Sequence, residues 1–161
     1  MKNIPVRFII DDALGSLLKW LRMLGFDTIY HRDLRKSIEE KVDRYEIYLK
    51  QSQAIGNKQI ENIIYLEPGS VAAQLKFIMV ACGILRENVK PFSRCIICNQ
   101  LTQRIDKAGI RGNIPDYVWE THELFRECPV CCRIYWQGTH AEKINKTIEK
   151  IFGGSEESKV R

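Results

Sequence analysis

The sequence has no apolar run that approaches the ~20 residues of a membrane span, and its first residues, MKNIPVRF, lack the apolar core of a signal peptide. We therefore expect a soluble, cytoplasmic protein with no membrane partner. Internal repeats and low-complexity segments are also absent before the last residues. What the chain does have is 161 residues, 45% of them hydrophobic, which is enough for one ordinary domain or for a small domain with an appendage.

The net charge of the chain excludes no class of binding partner. The formal net charge is +5, and 28% of the residues are charged. This mild positive excess permits an anionic partner such as RNA but does not require one, because many soluble proteins have a similar balance.

The six cysteines carry more information through their grouping than through their number. Cys82 lies in an apolar helical stretch, where a small core residue is expected. The other five form two groups, and such pairing in a reducing compartment favours metal binding over disulfides. These five residues are Cys95, Cys98, Cys128, Cys131 and Cys132.

Residues 8–30, FIIDDALGSLLKWLRMLGFDTIY, predict a buried strand, an amphipathic helix and a second strand. Leucines recur at helical spacing through the middle of this stretch, and Gly25 follows where a helix C-terminus favours positive φ. Asp11 and Asp12 fall where the first strand ends. In an open α/β sheet, ligands bind beyond this end of the strands. Asp11 is a candidate ligand for Mg²⁺ or Mn²⁺, and Asp12 a candidate helix cap.

Two interpretations remain open for the segment that follows Tyr30. Apolar residues from Leu34 to Leu49 recur every three or four positions, so a surface helix is the simplest interpretation. A short strand at Glu46 to Leu49 is the alternative, and the sequence does not separate the two. Ile60 to Leu66 then predicts another buried strand, and Ser70 is placed to cap a helix that ends near Gly83.

The resulting order of strands and helices predicts an α/β domain in which helices flank a parallel sheet. Near Pro91 the composition changes to cysteines, turn residues and aromatics. We therefore expect an α/β domain at 1–90 and a small cysteine-containing domain with a final helix at 91–152. The tail at 153–161 has too little apolar content to order itself.

The two C-x-x-C pairs predict a metal centre. Cys95-Ile-Ile-Cys98 and Cys128-Pro-Val-Cys131 are separated by residues 99–127. Each pair turns two thiolates toward one ion, and two pairs complete the tetrahedral site that Zn²⁺ prefers. Four sulfur ligands leave no open position, so this zinc is expected to be structural and its binding to be coupled to folding.

Other residues around these cysteines have open interpretations. Cys132 is a fifth thiol, where a zinc-binding turn usually takes glycine or another small residue. Basic side chains such as Arg94, Arg104 and Arg133 alternate with Tyr135 and Trp136, which suits RNA binding, although the aromatics also suit a small core.

Three segments together resemble a known family: FIIDDALGSLLKWLRMLGFDTIY, SRCIICNQ and FRECPVCCRIYWQGTH. In this order they resemble the PIN-like ribonucleases with a C-terminal zinc ribbon, a domain that also ends the mutator exonucleases of RNA silencing. The resemblance covers roughly residues 6 to 150. It implies a PIN-like α/β fold, a zinc ribbon, and RNA cleavage that depends on Mg²⁺ or Mn²⁺.

The resemblance also implies site residues. The first aspartate of the family falls on Asp11, and the aspartate of the L-G-x-D segment falls on Asp27, which also suits a role in shaping the turn before the second strand. The acidic position after that strand falls on Asp33, with Glu39 or Glu40 as substitutes. The ribbon ligands implied by the resemblance are Cys95, Cys98, Cys128 and Cys131.

The chain departs from the family at one expected metal ligand. Relatives carry a strand that ends in Leu-Thr-Arg-Asp, whereas this sequence has no carboxylate from Ile47 through Ile60. Either the strand persists with Lys50, Gln51 or Ser52 at the acidic position, or a helix replaces it. Two functions are therefore expected: a metal-dependent endoribonuclease weakened by a lost ligand, or a catalytically degenerate module that binds RNA or, through its ribbon, a protein partner.

Overall fold

The computed structural model describes residues 6–30, 32, 45–49 and 63–153. Its first part is a sheet of four parallel strands: β1 (Arg7–Ile10), β2 (Asp27–Tyr30), β3 (Tyr45–Leu49) and β4 (Ile63–Leu66). Their order across the sheet is β2-β1-β3-β4. The predicted α/β class with a parallel sheet is therefore confirmed.

The helix after β1 forms where the leucine spacing predicted it. A 3₁₀ turn (Asp12–Leu14) leads into α1 (Gly15–Met23), and the apolar face of α1 is buried against the sheet. Gly25 ends this helix with φ +100°, and a Cβ there would lie 2.6 Å from the carbonyl oxygen of Lys90. Only glycine fits both the conformation and the space at this position.

The segment at Tyr45–Leu49 is a strand, so the surface-helix interpretation is wrong for these residues and the alternative is confirmed. β3 pairs in parallel with β1 on one side and β4 on the other, so it occupies the interior of the four-stranded sheet. Two ladders of backbone hydrogen bonds outweigh the weak helical spacing of the sequence. The rest of the predicted helix lies outside the described residues.

Two later helices cover the sheet. α2 (Val71–Ala81) begins where Ser70 accepts a hydrogen bond from the backbone N–H of Ala73 at 3.3 Å, which confirms the predicted cap. α4 (Thr139–Phe152) contains the predicted final helix and packs on α2. Its apolar residues belong to the core of the α/β part, which includes Phe8, Leu21, Ile78, Ile144, Ile148 and Ile151.

The intervening segment forms a second, antiparallel sheet with the order β5-β6-β7. Its strands are β5 (Gln103–Ile105), β6 (Phe125–Glu127) and β7 (Ile134–Trp136), and α3 (Asp116–Thr121) lies between the first two. A small core forms beneath them from Ile110, Ile114, Val118 and Phe125.

The final helix, which we expected within the 91–152 segment, thus packs in the core of the first segment. The division of the chain at residue 90 stays a prediction. Among the helices of the described part, none combines the length and the apolar character needed to cross a bilayer.

Candidate functional site

The four predicted zinc ligands meet at one point. The sulfur atoms of Cys95, Cys98, Cys128 and Cys131 all lie within 4.8 Å of one another. The Sγ atoms of Cys95 and Cys131 are 3.7 Å apart, far beyond a disulfide bond of about 2.05 Å. A tetrahedron with Zn–S bonds of about 2.3 Å has sulfur–sulfur edges of about 3.8 Å. The donor set and its geometry are therefore compatible with zinc.

The two cysteine turns have the same backbone design. In the first, Cys95 accepts a backbone hydrogen bond from Asn99 at 3.0 Å, and in the second Cys128 accepts one from Cys132 at 2.9 Å. Asn99 has φ +61° and Cys132 φ +55°. Asparagine tolerates this left-handed conformation, whereas cysteine is a poor choice for it. This explains why a small residue was expected at position 132.

The thiols do not ionise alike. Burial raises the pKa of Cys95, but hydrogen bonds from the Cys98 backbone N–H and from the Tyr135 hydroxyl outweigh it and lower that pKa to about 6. A hydrogen bond with Cys131, burial and the charge of Cys95 raise the pKa of Cys98 to about 12. The Cys95 thiolate thus opposes ionisation of Cys98, and a cation bound between them would favour deprotonation of both.

The first cysteine turn is attached to the α/β part through Arg22. This side chain is buried, and its Nε donates to the carbonyl of Thr28 at 2.9 Å. Its Nη1 donates to the carbonyls of Ile96 and Ile97, between the paired cysteines, at 3.0 and 2.6 Å. Sequence reasoning missed Arg22, although its place four residues after Leu18 on the apolar face of α1 was a signal that its charge would meet partners in the interior.

Asn99 makes the second attachment. Its Oδ1 accepts from the backbone N–H of Thr28 at 3.1 Å, and its Nδ2 donates to Oδ1 of Asp27 at 2.6 Å. The other oxygen of Asp27 lies 3.4 Å from Nε of Arg7. The metal centre is therefore fixed to the amino-terminal ends of β1 and β2.

Asp11 lies at the opposite, carboxyl-terminal ends of the strands, directly after β1. β2 lies on one side of β1 and β3 on the other, so the chain reverses its direction of travel across the sheet at this strand. Such a reversal opens a crevice at the carboxyl ends of parallel strands, which is where α/β proteins bind ligands. Asp11 is half-buried at this point.

The cap of the following turn falls on Asp11 and not on Asp12. Oδ1 of Asp11 accepts the backbone N–H of Ala13 at 2.9 Å. Asp12 is exposed and lies 3.4 Å from Nε of Arg32. The predicted capping role of Asp12 is therefore wrong, because the turn begins one residue earlier than expected.

A cation and a phenol lie beside the turn that follows Asp11. The guanidinium of Arg32 stacks 4.5 Å from the centre of the Tyr30 ring. The Tyr30 hydroxyl approaches Gly15 so closely that a Cβ there would be 3.1 Å away. The positive charge of Arg32 thus lies beside the Asp12 carboxylate, at the carboxyl ends of the strands.

The structure does not bring Asp27 together with Asp11. Asp27 begins β2, opposite Arg7, and Asp11 lies four residue steps beyond Arg7 along the chain, a span of about 13 Å. Asp33, Glu39 and Glu40 lie outside the described residues. Within the described ranges, the four cysteines are the only group of three or more potential metal ligands that converge.

Several polar residues of the cysteine-containing segment, residues 91–138, already have structural partners. Arg126 donates to the Thr102 hydroxyl at 2.7 Å, and the Lys107 ammonium lies 2.6 Å from Glu123. Tyr135 is buried against Cys95, in agreement with the core interpretation of this aromatic. Arg104 and Arg133 are exposed.

The chain is similar to a known protein family. The family model described as the Mut7-C RNAse domain matches residues 6–148, which includes both the sheet and all four clustered cysteines. No curated protein and no solved structure matches the chain.

Proposed function

Because the chain belongs to the family of Mut7-C RNAse domains, we propose that it is a metal-dependent endoribonuclease, a hydrolase of PIN-like type, with a structural zinc. The observation that carries this proposal is the position of Asp11 at the carboxyl end of β1, where the strand order reverses. Ligands of open α/β sheets bind at this end of the strands, so Asp11 is a described carboxylate in a position that suits a ribonuclease.

Asp11 and Asp33 are the proposed ligands of the Mg²⁺ or Mn²⁺ ion. Magnesium sites commonly use one or two carboxylates and fill the remaining positions with water, so two aspartates suffice for weak binding. With an ion bound there, these two carboxylates would hold it, and it would supply an activated water and charge stabilisation for the departing oxygen. The cap bond to Ala13 orients Asp11, because it fixes one carboxylate oxygen. The guanidinium of Arg32 is placed to attract the RNA phosphate.

Asp27 is left out of the proposed catalytic set. Its contacts with Asn99 and Arg7 hold it at the amino-terminal ends of the strands, away from Asp11. The four cysteines are proposed to hold one Zn²⁺, with no catalytic role, because a site closed by four sulfur ligands has no position for water.

The test compares Asp11→Asn with Asp12→Asn. Zinc-loaded protein is incubated with labelled single-stranded RNA and Mn²⁺, and then with EDTA. Asparagine retains the cap, so Asp11→Asn is expected to fold normally and to lose cleavage by about 100-fold or more. Asp12→Asn is the matched control and should keep most of the activity. Equal cleavage by wild type and Asp11→Asn would refute the mechanism.

A specific observation favours a second candidate, a catalytically degenerate module that binds RNA. β3 persists as a strand, yet the residue after it is Lys50, and no carboxylate follows up to Ile60. Loss of one charged ligand weakens a site that holds its ion by charge.

Restoring the carboxylate separates the two candidates. Lys50→Asp, Gln51→Asp and Ser52→Asp are each assayed beside wild type over a range of Mn²⁺ concentrations. For a weakened nuclease, one of them should lower the Mn²⁺ concentration required and raise the rate. RNA binding by wild type with no cleavage, unchanged in all three variants, would favour the degenerate module.

A further inference from the structure

Two cavities in the cysteine-containing part share one aromatic wall. They have volumes of about 230 and 250 Å³, and both are lined by Phe92, Tyr135 and Trp136. These volumes lie below the ~300–1,000 Å³ of pockets that take drug-sized ligands, and they suit one planar ring system each.

Each cavity combines this apolar wall with two arginines. Arg94 and Arg133 line the first, beside Met23 and Ile144. Arg104 and Arg126 line the second. Rings between guanidinium groups match the chemistry of a nucleotide, whose base stacks on aromatics while its phosphate pairs with cations.

Some of these side chains serve the fold, and others are exposed. The Tyr135 hydroxyl donates to Sγ of Cys95 at 3.1 Å, and Arg126 is bonded to Thr102. Arg104 and Arg133 are exposed, one at each cavity, and Trp136 is half-buried. Arg104 and Arg133 thus provide positive charge at the two cavities, and a ligand can contact them without breaking the hydrogen bonds around the cysteines.

The shared wall also contains an unusual backbone conformation. Phe92 has φ +61°, which is an outlier for a bulky residue. Its N–H donates to the carbonyl of Met23 at 3.1 Å, so contacts with α1 hold the conformation. Strain of this kind concentrates at binding sites, where it keeps a side chain in place.

The other partly exposed indole of this segment is less suited to stacking. Trp119 already has the Lys107 ammonium at 4.9 Å and the Arg111 guanidinium at 4.8 Å from its ring. The chain's own cations thus occupy its π surface, whereas Trp136 faces two cavities.

We propose that the two cavities hold neighbouring unpaired bases of a single-stranded RNA, with the Phe92–Trp136 wall between the bases and with Arg133 and Arg104 on the flanking phosphates. The choice of RNA as the ligand rests on the proposed function. The base site itself follows from the aromatic wall and the two exposed arginines, Arg104 and Arg133.

The proposed base-binding cavities are separate from the proposed catalytic site at Asp11. The first cavity touches Met23, at the end of α1, whereas α1 starts beside Asp11. Eight helix residues at 1.5 Å each put about 12 Å between these points. The ribbon would therefore anchor the strand at a distance from the cut, so substrates need an unpaired stretch that reaches from one site to the other.

The test measures RNA binding without cleavage. The zinc-loaded chain of residues 1–161 with Asp11→Asn is titrated with a short labelled single strand, with a strand of the same length that lacks its bases, and with the matching duplex. We expect the intact strand to bind tightest. Loss of the two stacked bases should weaken binding about thirtyfold or more.

Two arginine variants locate the site. Arg133→Ala removes a cavity cation, and Arg111→Ala removes an equal charge from outside both cavities. Arg133→Ala should weaken binding of the intact strand several-fold more than Arg111→Ala does. Trp136→Phe should keep most of the affinity and Trp136→Leu lose it, with zinc content and unfolding temperature measured for each.

Defined results would overturn the proposal. Equal binding of the base-free strand would mean that the cavities take no base. Equal effects of the two arginine variants would mean diffuse charge attraction, and tighter duplex binding would exclude an unpaired ligand. No RNA binding at low salt would overturn it as well and leave the cavities to a protein partner. Failure of wild type to cleave RNA would refute only the proposed function, because binding is measured independently.

Discussion

Asn99 donates a 2.6 Å hydrogen bond to Asp27, and this contact joins the first cysteine turn to the start of β2. The same side chain accepts a hydrogen bond from the backbone N–H of Thr28 at 3.1 Å, so its amide bonds the outer strand β2 through both its oxygen and its nitrogen. The bond to Asp27 joins a neutral donor to a charged acceptor, which makes it stronger than a bond between neutral groups. The metal centre is therefore part of the packing of the parallel sheet.

Replacing Asn99 with glycine should reduce stability. Glycine keeps the positive φ, so in the folded state the variant removes the two side-chain hydrogen bonds and leaves Asp27 and the Thr28 N–H without this partner. We expect a loss of about 1–3 kcal/mol in the free energy of unfolding, measured by urea denaturation of the zinc-loaded protein. An unchanged urea midpoint would show that the contact contributes nothing.

Replacing Cys132 with glycine should have the opposite effect. Position 132 has the same place in the second turn as Asn99 in the first, with φ +55°, and the Cys132 side chain is exposed. Relief of the left-handed strain should add about 1 kcal/mol to the free energy of unfolding, partly offset by the entropy of the unfolded glycine. The control is zinc content, which should stay at one per chain. Loss of zinc in this variant would identify Cys132 as a ligand.

Truncating Arg22 should loosen the metal centre. Arg22→Leu leaves the carbonyls of Ile96 and Ile97 without their donor, and an unsatisfied buried polar group costs about 1–3 kcal/mol. We expect lower stability and faster transfer of zinc to a coloured chelator. Arg86→Leu is the matched control, because Arg86 forms an exposed ion pair with Glu149 of α4. Equal zinc-transfer rates for the two variants would contradict the role of Arg22.

Cys82 should make stability fall at alkaline pH. Burial raises the pKa of its thiol from 9.0 to about 12. The unfolded thiol therefore ionises first, so its contribution is fully present below about pH 9 and is lost as the pH rises toward 12. In urea unfolding at pH 8 and pH 10, wild type should lose more stability than Cys82→Ala. Parallel losses would show that the thiol ionises equally in both states.

The sequence was sufficient for features set by local chemistry. The leucine spacing determined α1, Ser70 determined the start of α2, and the two C-x-x-C pairs predicted the sulfur cluster, because spacing along the chain fixes which face or turn a side chain occupies. The order of three separate segments also predicted the ribonuclease family that the comparison matches.

Only the tertiary structure decided which distant residues meet. The strand at Tyr45–Leu49 depends on ladders from β1 and β4, which no local pattern contains. Asp11 and Asp27 lie in the same family-like segment of the sequence. Parallel pairing of β1 with β2 nevertheless places Asp27 at the amino-terminal ends of the strands and Asp11 at their carboxyl ends. Arg22 and Asn99 acquire their roles through partners more than 70 positions away. Burial turns these pairings into stabilising contacts, since a polar group withdrawn from water must find its partner within the fold.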